Sequence, residues 1–205
     1  MTSILTADII NSRKTQDVSW LMNNLKKILN IYGESPKTWE IYRGDSFQLE
    51  INNCENALFT ALQIKSALKS TENIDIRIGI GIGIKEFSTS KITESNGEAF
   101  INSGFAFDNY LKKQNLAIKT PWQEIDEELN IAFDLALLTI NSWTKNSAEI
   151  FKLSLNNKDA KQNEIAKILG ITQSSVSERQ KRAGFEPIMK LEKRFRKLIE
   201  QKIQL

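Results

Sequence analysis

The sequence predicts an α+β chain of two domains: a ferredoxin-like split βαβ domain with additions over residues 1–119, then an all-helical domain over residues 120–205. Three observations carry that prediction. The segment IDIRIGIGIGI alternates strictly, placing Ile74, Ile76, Ile78, Ile80, Ile82 and Ile84 on one face of a strand. Around it, apolar runs follow the order β-α-β-β-α-β-α-β. Beyond Thr120-Pro121, every apolar pattern has helical spacing.

Taken in order, SILTADII is a short run rich in β-branched residues and reads as a buried strand. Val18, Leu21, Leu25, Ile28 and Leu29 then fall at helical spacing, with Gly33 near the stop. TWEIYRGDSFQLEIN reads as two strands meeting in a hairpin turn at Arg43-Gly44-Asp45-Ser46. Ala57, Leu58, Ala61, Leu62, Ile64 and Leu68 form the apolar stripe of a second helix. In the isoleucine strand, Asp75, Arg77, Gly79, Gly81 and Gly83 take the opposite face. A row of absent side chains there implies that a helix, a substrate or a second subunit approaches the backbone closely. SNGEAFINSGFAFDNYLKK reads as a third helix and NLAIKT as the last strand, with helices covering one face of the sheet. In the helical part, Ile125, Leu129, Ala132, Phe133, Leu135, Ala136 and Leu138 are the expected core stripe of a long helix. The four tryptophans read as core or junction residues. Cys54 reads as buried rather than catalytic.

Composition narrows the chemistry. Apolar residues make up 40% of the chain and charged residues 26%, in the range of soluble globular proteins. No apolar run reaches the roughly 20 residues that span a bilayer, and the opening MTSILTADII has no basic leader; the expected setting is the cytoplasm, without a membrane partner. One cysteine and no histidine exclude disulfide frameworks, cysteine-built zinc sites, Ser-His triads and histidine-ligated metals. The net charge of +3 is unevenly distributed. Residues 156–205 hold 12 Lys/Arg against 6 Asp/Glu, whereas residues 1–155 hold 16 against 19. A polyanion is therefore expected at the C-terminal part.

That basic part contains QNEIAKILGITQSSVSERQKRAGF, which reads as a helix-turn-helix over about residues 162–183. Ala166 permits close helix crossing, and Gly170 supplies a turn conformation that most residues resist. Ile171 and Val176 plug the angle between the helices, and Thr172 caps the second helix. Gln173, Ser174, Ser175, Ser177, Glu178, Arg179, Lys181 and Arg182 are left outward. Of these, Gln173, Ser174, Ser175, Ser177, Arg179, Lys181 and Arg182 are the expected DNA contacts, amides and hydroxyls facing bases and phosphates and cations facing phosphates. The pattern resembles the helix-turn-helix of sigma-factor-like and Trp-repressor-like regulators. The terminal helix around Leu191, Phe195, Leu198 and Ile199 could pack on this unit or form a homodimer suited to palindromic DNA.

Asp8 ends the first strand and Asp45 lies in the hairpin that such a topology sets beside it. Two carboxylates plus a backbone carbonyl form a hard-oxygen set suited to Mg²⁺ or Mn²⁺. Asn11, Ser12 and Arg13 at the entry to the first helix, with Arg43 and Gly44 of the hairpin, are the expected nucleotide contacts. By these residues the first 119 positions resemble the palm of class III nucleotidyl cyclases, GGDEF enzymes and related polymerases. In those enzymes a strand-end Asp and a hairpin Asp hold two metal ions, and the resemblance implies that Asp8 with the Ile9 carbonyl takes the first place and Asp45 the second. DIINSR, GDSFQ and QSSVS together are similar to the DII-x-SR, GD-x-FQ and QS-x-VS motifs of the SatD family, over nearly the whole chain. The resemblance implies a metal–nucleotide ligand on the palm and DNA on the C-terminal helices. An active nucleotidyl cyclase or oligonucleotide synthase using metals on Asp8 and Asp45 is the alternative, and a palm serving only as a dimerisation scaffold is a third. Two departures bear on turnover. Ala106 stands four residues past Asn102, where cyclases have an arginine, and Gly104 stands where SatD relatives tend to have one.

Overall fold

A computed structural model describes residues 1–12, 17–71 and 74–204. Five strands are β1 (Thr2–Ile10), β2 (Trp39–Tyr42), β3 (Ser46–Ile51), β4 (Asp75–Gly83) and β5 (Leu116–Lys119). Among the described residues three helices belong to the sheet region: α1 (Val18–Leu29), α2 (Ala57–Lys69) and α3 (Glu98–Phe105). Five follow it: α4 (Gln123–Ile140), α5 (Lys145–Asn156), α6 (Gln162–Leu169), α7 (Gln173–Arg182) and α8 (Phe185–Ile203). The sheet order is β2-β3-β1-β4-β5, with β4 and β5 parallel and all other neighbours antiparallel. β3 thus lies between β1 and β2, as the element order requires of a split βαβ unit.

The glycine face of β4 decides where one helix lies. A Cβ on Gly81 would stand 2.1 Å from the Ser103 nitrogen and 2.3 Å from the Ala99 carbonyl oxygen, so α3 rests directly on the strand backbone. The isoleucines point the other way, into the core shared with α1, α2 and the later helices. Helices therefore cover both faces of the sheet, not one, because the glycine row makes room for a second layer. Close helix packing, among the partners expected for this row, is what meets it.

Several expectations are met: Cys54 is buried just ahead of α2, and the hairpin turns at residues 43–45. Asp17, which the sequence did not single out, caps α1 by accepting from the Trp20 amide. Others are corrected. The third helix ends at Phe105 and continues as a wider π-type turn over Ala106–Tyr110. On α4, Leu135 and Leu138 are 65% and 77% exposed, and Leu137 and Ile140 are buried instead. The helix carries two apolar stripes, and the one through Ile125, Leu129 and Phe133 faces inward. Trp20 and Ile84 are exposed rather than core. The stripe of α8 is covered within the chain, where Phe195 stacks on Phe133 with ring centroids 6.5 Å apart. No helix among the described residues is long and apolar enough to cross a membrane.

Candidate functional site

Alternation along β1 buries Ala7 and Ile9 on the isoleucine side and turns Thr6 and Asp8 toward the α3 side. Antiparallel register sets Asp8 opposite Ser46 on β3 and opposite Arg77 on β4. The hairpin folds back so that the Ile9 amide donates to the Asp45 carbonyl at 3.3 Å. Asp8 and Asp45 thus meet at one end of the sheet. Their oxygens are engaged, however. Arg77 donates to both oxygens of Asp8, from Nε at 2.9 Å and from Nη2 at 2.5 Å, a bidentate charge-assisted pair. The Ser12 hydroxyl donates to Asp45 Oδ2 at 2.5 Å. The hydrogen bonding of Arg77 to Asp8 holds the guanidinium above its usual pKa, with burial opposing and the charges of Asp8 and Asp45 adding to the rise. Arg77 also lies over the Phe107 ring, 5.7 Å from its centroid.

These residues do not fit a divalent ion as they stand. Both Asp8 oxygens serve Arg77, and no third acidic, histidine or cysteine side chain joins the two carboxylates as a metal-holding group among the described residues. The expected nucleotide contacts are likewise spread over several places. Arg43 borders a cleft of about 480 Å³ on the sheet face, between β2, β3, β1 and the start of the π-type turn. Gly44 borders a different cavity with Met22, Lys26 and Trp39. Asn11 lies in a polar pocket of about 370 Å³ with Lys69, Asp75, Asn141 and Lys145. Ser12 faces Asp45, and Arg13 lies outside the described residues.

Of the residues lining the 480 Å³ cleft, the sequence pointed to Arg43 as a nucleotide contact, to Ser46 as a turn residue and to Gly104 as a departure from the family pattern, and not to the others. Its floor is Thr6, Ser46 and Gln48, and its rim includes Tyr42, Glu40 and Asp108. Burial raises the Tyr42 hydroxyl pKa; nearby Arg43 lowers it, and Asp108 and Asp8 raise it further. A Cβ on Gly104 would meet nothing within 4 Å, so this position opens on free space beside the cleft. Asn102 does not face the cleft as a free amide: its Nδ2 donates to the Ile82 carbonyl at 2.7 Å. The signal for the floor was present in the polar alternates of β1 and β3, but which faces stay uncovered depends on where α3 lies.

The second candidate site is α7. Gly170 ends α6 in the left-handed conformation, at φ +63°. Thr172 accepts from the Ser175 amide and caps α7, while Ala166 and Val176 are buried at the crossing. Gln173, Ser174, Ser177, Glu178, Lys181 and Arg182 are exposed, and Ser175 and Arg179 are half-buried. The Ser174 and Ser175 hydroxyls lie 3.0 and 2.9 Å from that of Thr172. The Trp143 indole donates to the Ala183 carbonyl at 2.9 Å and fixes the far end of α7.

Fold and sites together define an α+β protein whose five-stranded mixed sheet ends in two carboxylates and whose helical part presents one capped, polar and cationic helix. The family model described as the SatD family matches residues 3–199, and the chain belongs to that family. A comparison with curated proteins finds no match.

Proposed function

We propose that this chain is a DNA-binding transcriptional regulator working in the cytoplasm as a homodimer. In this reading α6 and α7 form the DNA-contacting helix-turn-helix, and residues 1–119 form a cyclase-like palm that takes the regulating ligand. The observation that carries the reading is the outer face of α7. Amide, hydroxyl and cationic side chains share one exposed surface, while the turn and crossing residues behind it are buried or capped. Such a surface suits phosphates and base edges of a duplex. The order β2-β3-β1-β4 supports a ferredoxin-like palm, and the 480 Å³ cleft is in the size range of small-molecule sites. On the family resemblance the proposed ligand is a nucleotide, with Mg²⁺ or Mn²⁺ as its expected ion. Entry of an ion at Asp8 requires Arg77 to leave the carboxylate, and no step is assigned to a metal. The apolar stripe of α8 is already buried within the chain, so a dimer contact must come from another surface.

Duplex binding measured by fluorescence anisotropy across a salt series tests this function. The expected result is salt-sensitive binding whose log–log slope is shallower by about 1 for each of Arg179→Ala and Lys181→Ala. A wild-type chain without salt-dependent DNA binding overturns the reading. Melting in the presence of each nucleoside triphosphate, with and without Mg²⁺ or Mn²⁺, tests the palm: an upward shift supports a sensor, and none with intact DNA binding favours a scaffold.

A further inference from the structure

Gln173, the first residue of α7, is tied to the interior by a relay of three amides. Its Nε2 donates to Gln162 Oε1 at the start of α6. Gln162 Nε2 donates to Gln180 Oε1 at 2.8 Å, and Gln180 Nε2 donates to Ser154 Oγ on α5 at 2.7 Å. The relay runs from a buried hydroxyl, 3% exposed, through two half-buried amides to an exposed one. Every amide points the same way, so no single one can flip without setting oxygen against oxygen or nitrogen against nitrogen. The relay spends one N–H of Gln173; among the described residues the other N–H and the carbonyl oxygen have no partner. One donor beside one acceptor is the complement of adenine in the major groove, which offers the N7 acceptor beside the N6 amino donor. Guanine presents two acceptors there, and one would face the Gln173 oxygen.

We propose that Gln173 reads an adenine and that Gln162 is the positioning residue which holds its amide in the reading orientation. This rests on the DNA-binding reading above. It adds the base recognised and a residue that acts without touching it. Reversing the whole relay, with Ser154 donating inward, would leave Gln173 with two N–H groups and select guanine, so the base itself reports the relay's direction.

The experiment is selection from duplexes with a randomised segment, using the full chain, followed by competition binding on the selected sequence. Wild type is expected to select adenine at one position of the half-site by roughly tenfold over the other bases. Gln173→Ala should lose that preference at that position alone. Gln162→Met keeps the length of the side chain but has no amide, and should lose most of the preference while non-specific binding and melting temperature stay near wild type. Gln162→Glu can still accept from Gln173 and should restore the preference, with affinity lowered evenly for all bases by its charge. A merely structural Gln162 would change stability and leave base preference alone. Guanine at that position, or an unchanged preference in Gln173→Ala or Gln162→Met, overturns the inference while the DNA-binding reading stands. Absence of salt-dependent DNA binding in the wild type removes both.

Discussion

Lys65 lies on α2 with 1% of its side chain exposed, its ammonium 2.6 Å from Asp75 Oδ1 and 2.9 Å from the Ile76 carbonyl. Lys69 reaches Asp75 Oδ2 at 2.9 Å, so one carboxylate at the start of β4 joins two lysines. Burial pushes the Lys65 pKa down, against the opposing pull of Asp75. Burial would raise the Asp75 pKa, but the charges and hydrogen bonds of Lys65 and Lys69 outweigh it and the net shift is downward. A carboxylate depressed in the folded state contributes stability above its unfolded pKa, about 4, and that contribution is lost as pH falls through the folded value. Asp75→Asn should therefore cost about 3–5 kcal/mol and flatten the acid limb of stability, read by urea unfolding over a pH series. Lys65→Met, which keeps Asp75 paired through Lys69, should cost less; an equal cost would mean that Asp75 is not the centre of the cluster. At this scale the sequence was informative about faces and silent about partners. Alternation along the first strand shows that Asp8 sits opposite to Ile9. That Arg77 closes on Asp8 depends on the register of β1 against β4, which no local pattern encodes.

Among elements, the pairing of β4 with α3 rests on missing side chains. Gly81→Ala would drive a Cβ into the backbone of α3, where neither Ser103 nor Ala99 can yield by a side-chain rotation. The expected loss is about 2–3 kcal/mol, the upper range for overpacking, measured by urea unfolding. Gly104→Ala is the internal control: the position lies within α3 with open space around its Cβ, so relief of chain entropy should stabilise by about 0.5–1 kcal/mol. Similar effects at both positions would show that α3 does not rest on the strand. Elements were the most legible level, because strand and helix periods differ and the breaks between them carry turn residues. Orientation was less so. α4 has apolar residues on two sides, and periodicity alone cannot tell which side meets the core when each stripe repeats at helical spacing. The sheet's second helical layer was visible only as a glycine row, a mark that something approaches without saying what.

Across the whole molecule, the change from sheet to helices at Thr120-Pro121 is not a break in the core. One cluster of buried apolar side chains runs from Leu5 and Ile80 of the sheet through Leu62 of α2 to Phe133, Phe151 and Phe195 of the later helices. Polar contacts cross the same boundary. Arg196 on α8 donates to the Asn56 side chain at 2.5 Å, and Gln63 on α2 donates to Asn156 on α5 at 2.7 Å. In such a body the proposed ligand would influence the proposed DNA binding only if it preferred one arrangement of the whole molecule, or of a dimer, over another. The shared core predicts a single cooperative unfolding transition. Trp39 in the sheet and Trp143 in the helical part are both buried and make fluorescence a reporter on each side of the boundary. Urea titrations followed by fluorescence and by far-ultraviolet circular dichroism should coincide. Phe195→Ala, which removes a fully buried ring at the helical end, should cost about 3–5 kcal/mol and move both curves to the same lower midpoint. Two separated transitions, with the sheet's midpoint unmoved by Phe195→Ala, would instead establish residues 1–119 as an autonomous domain.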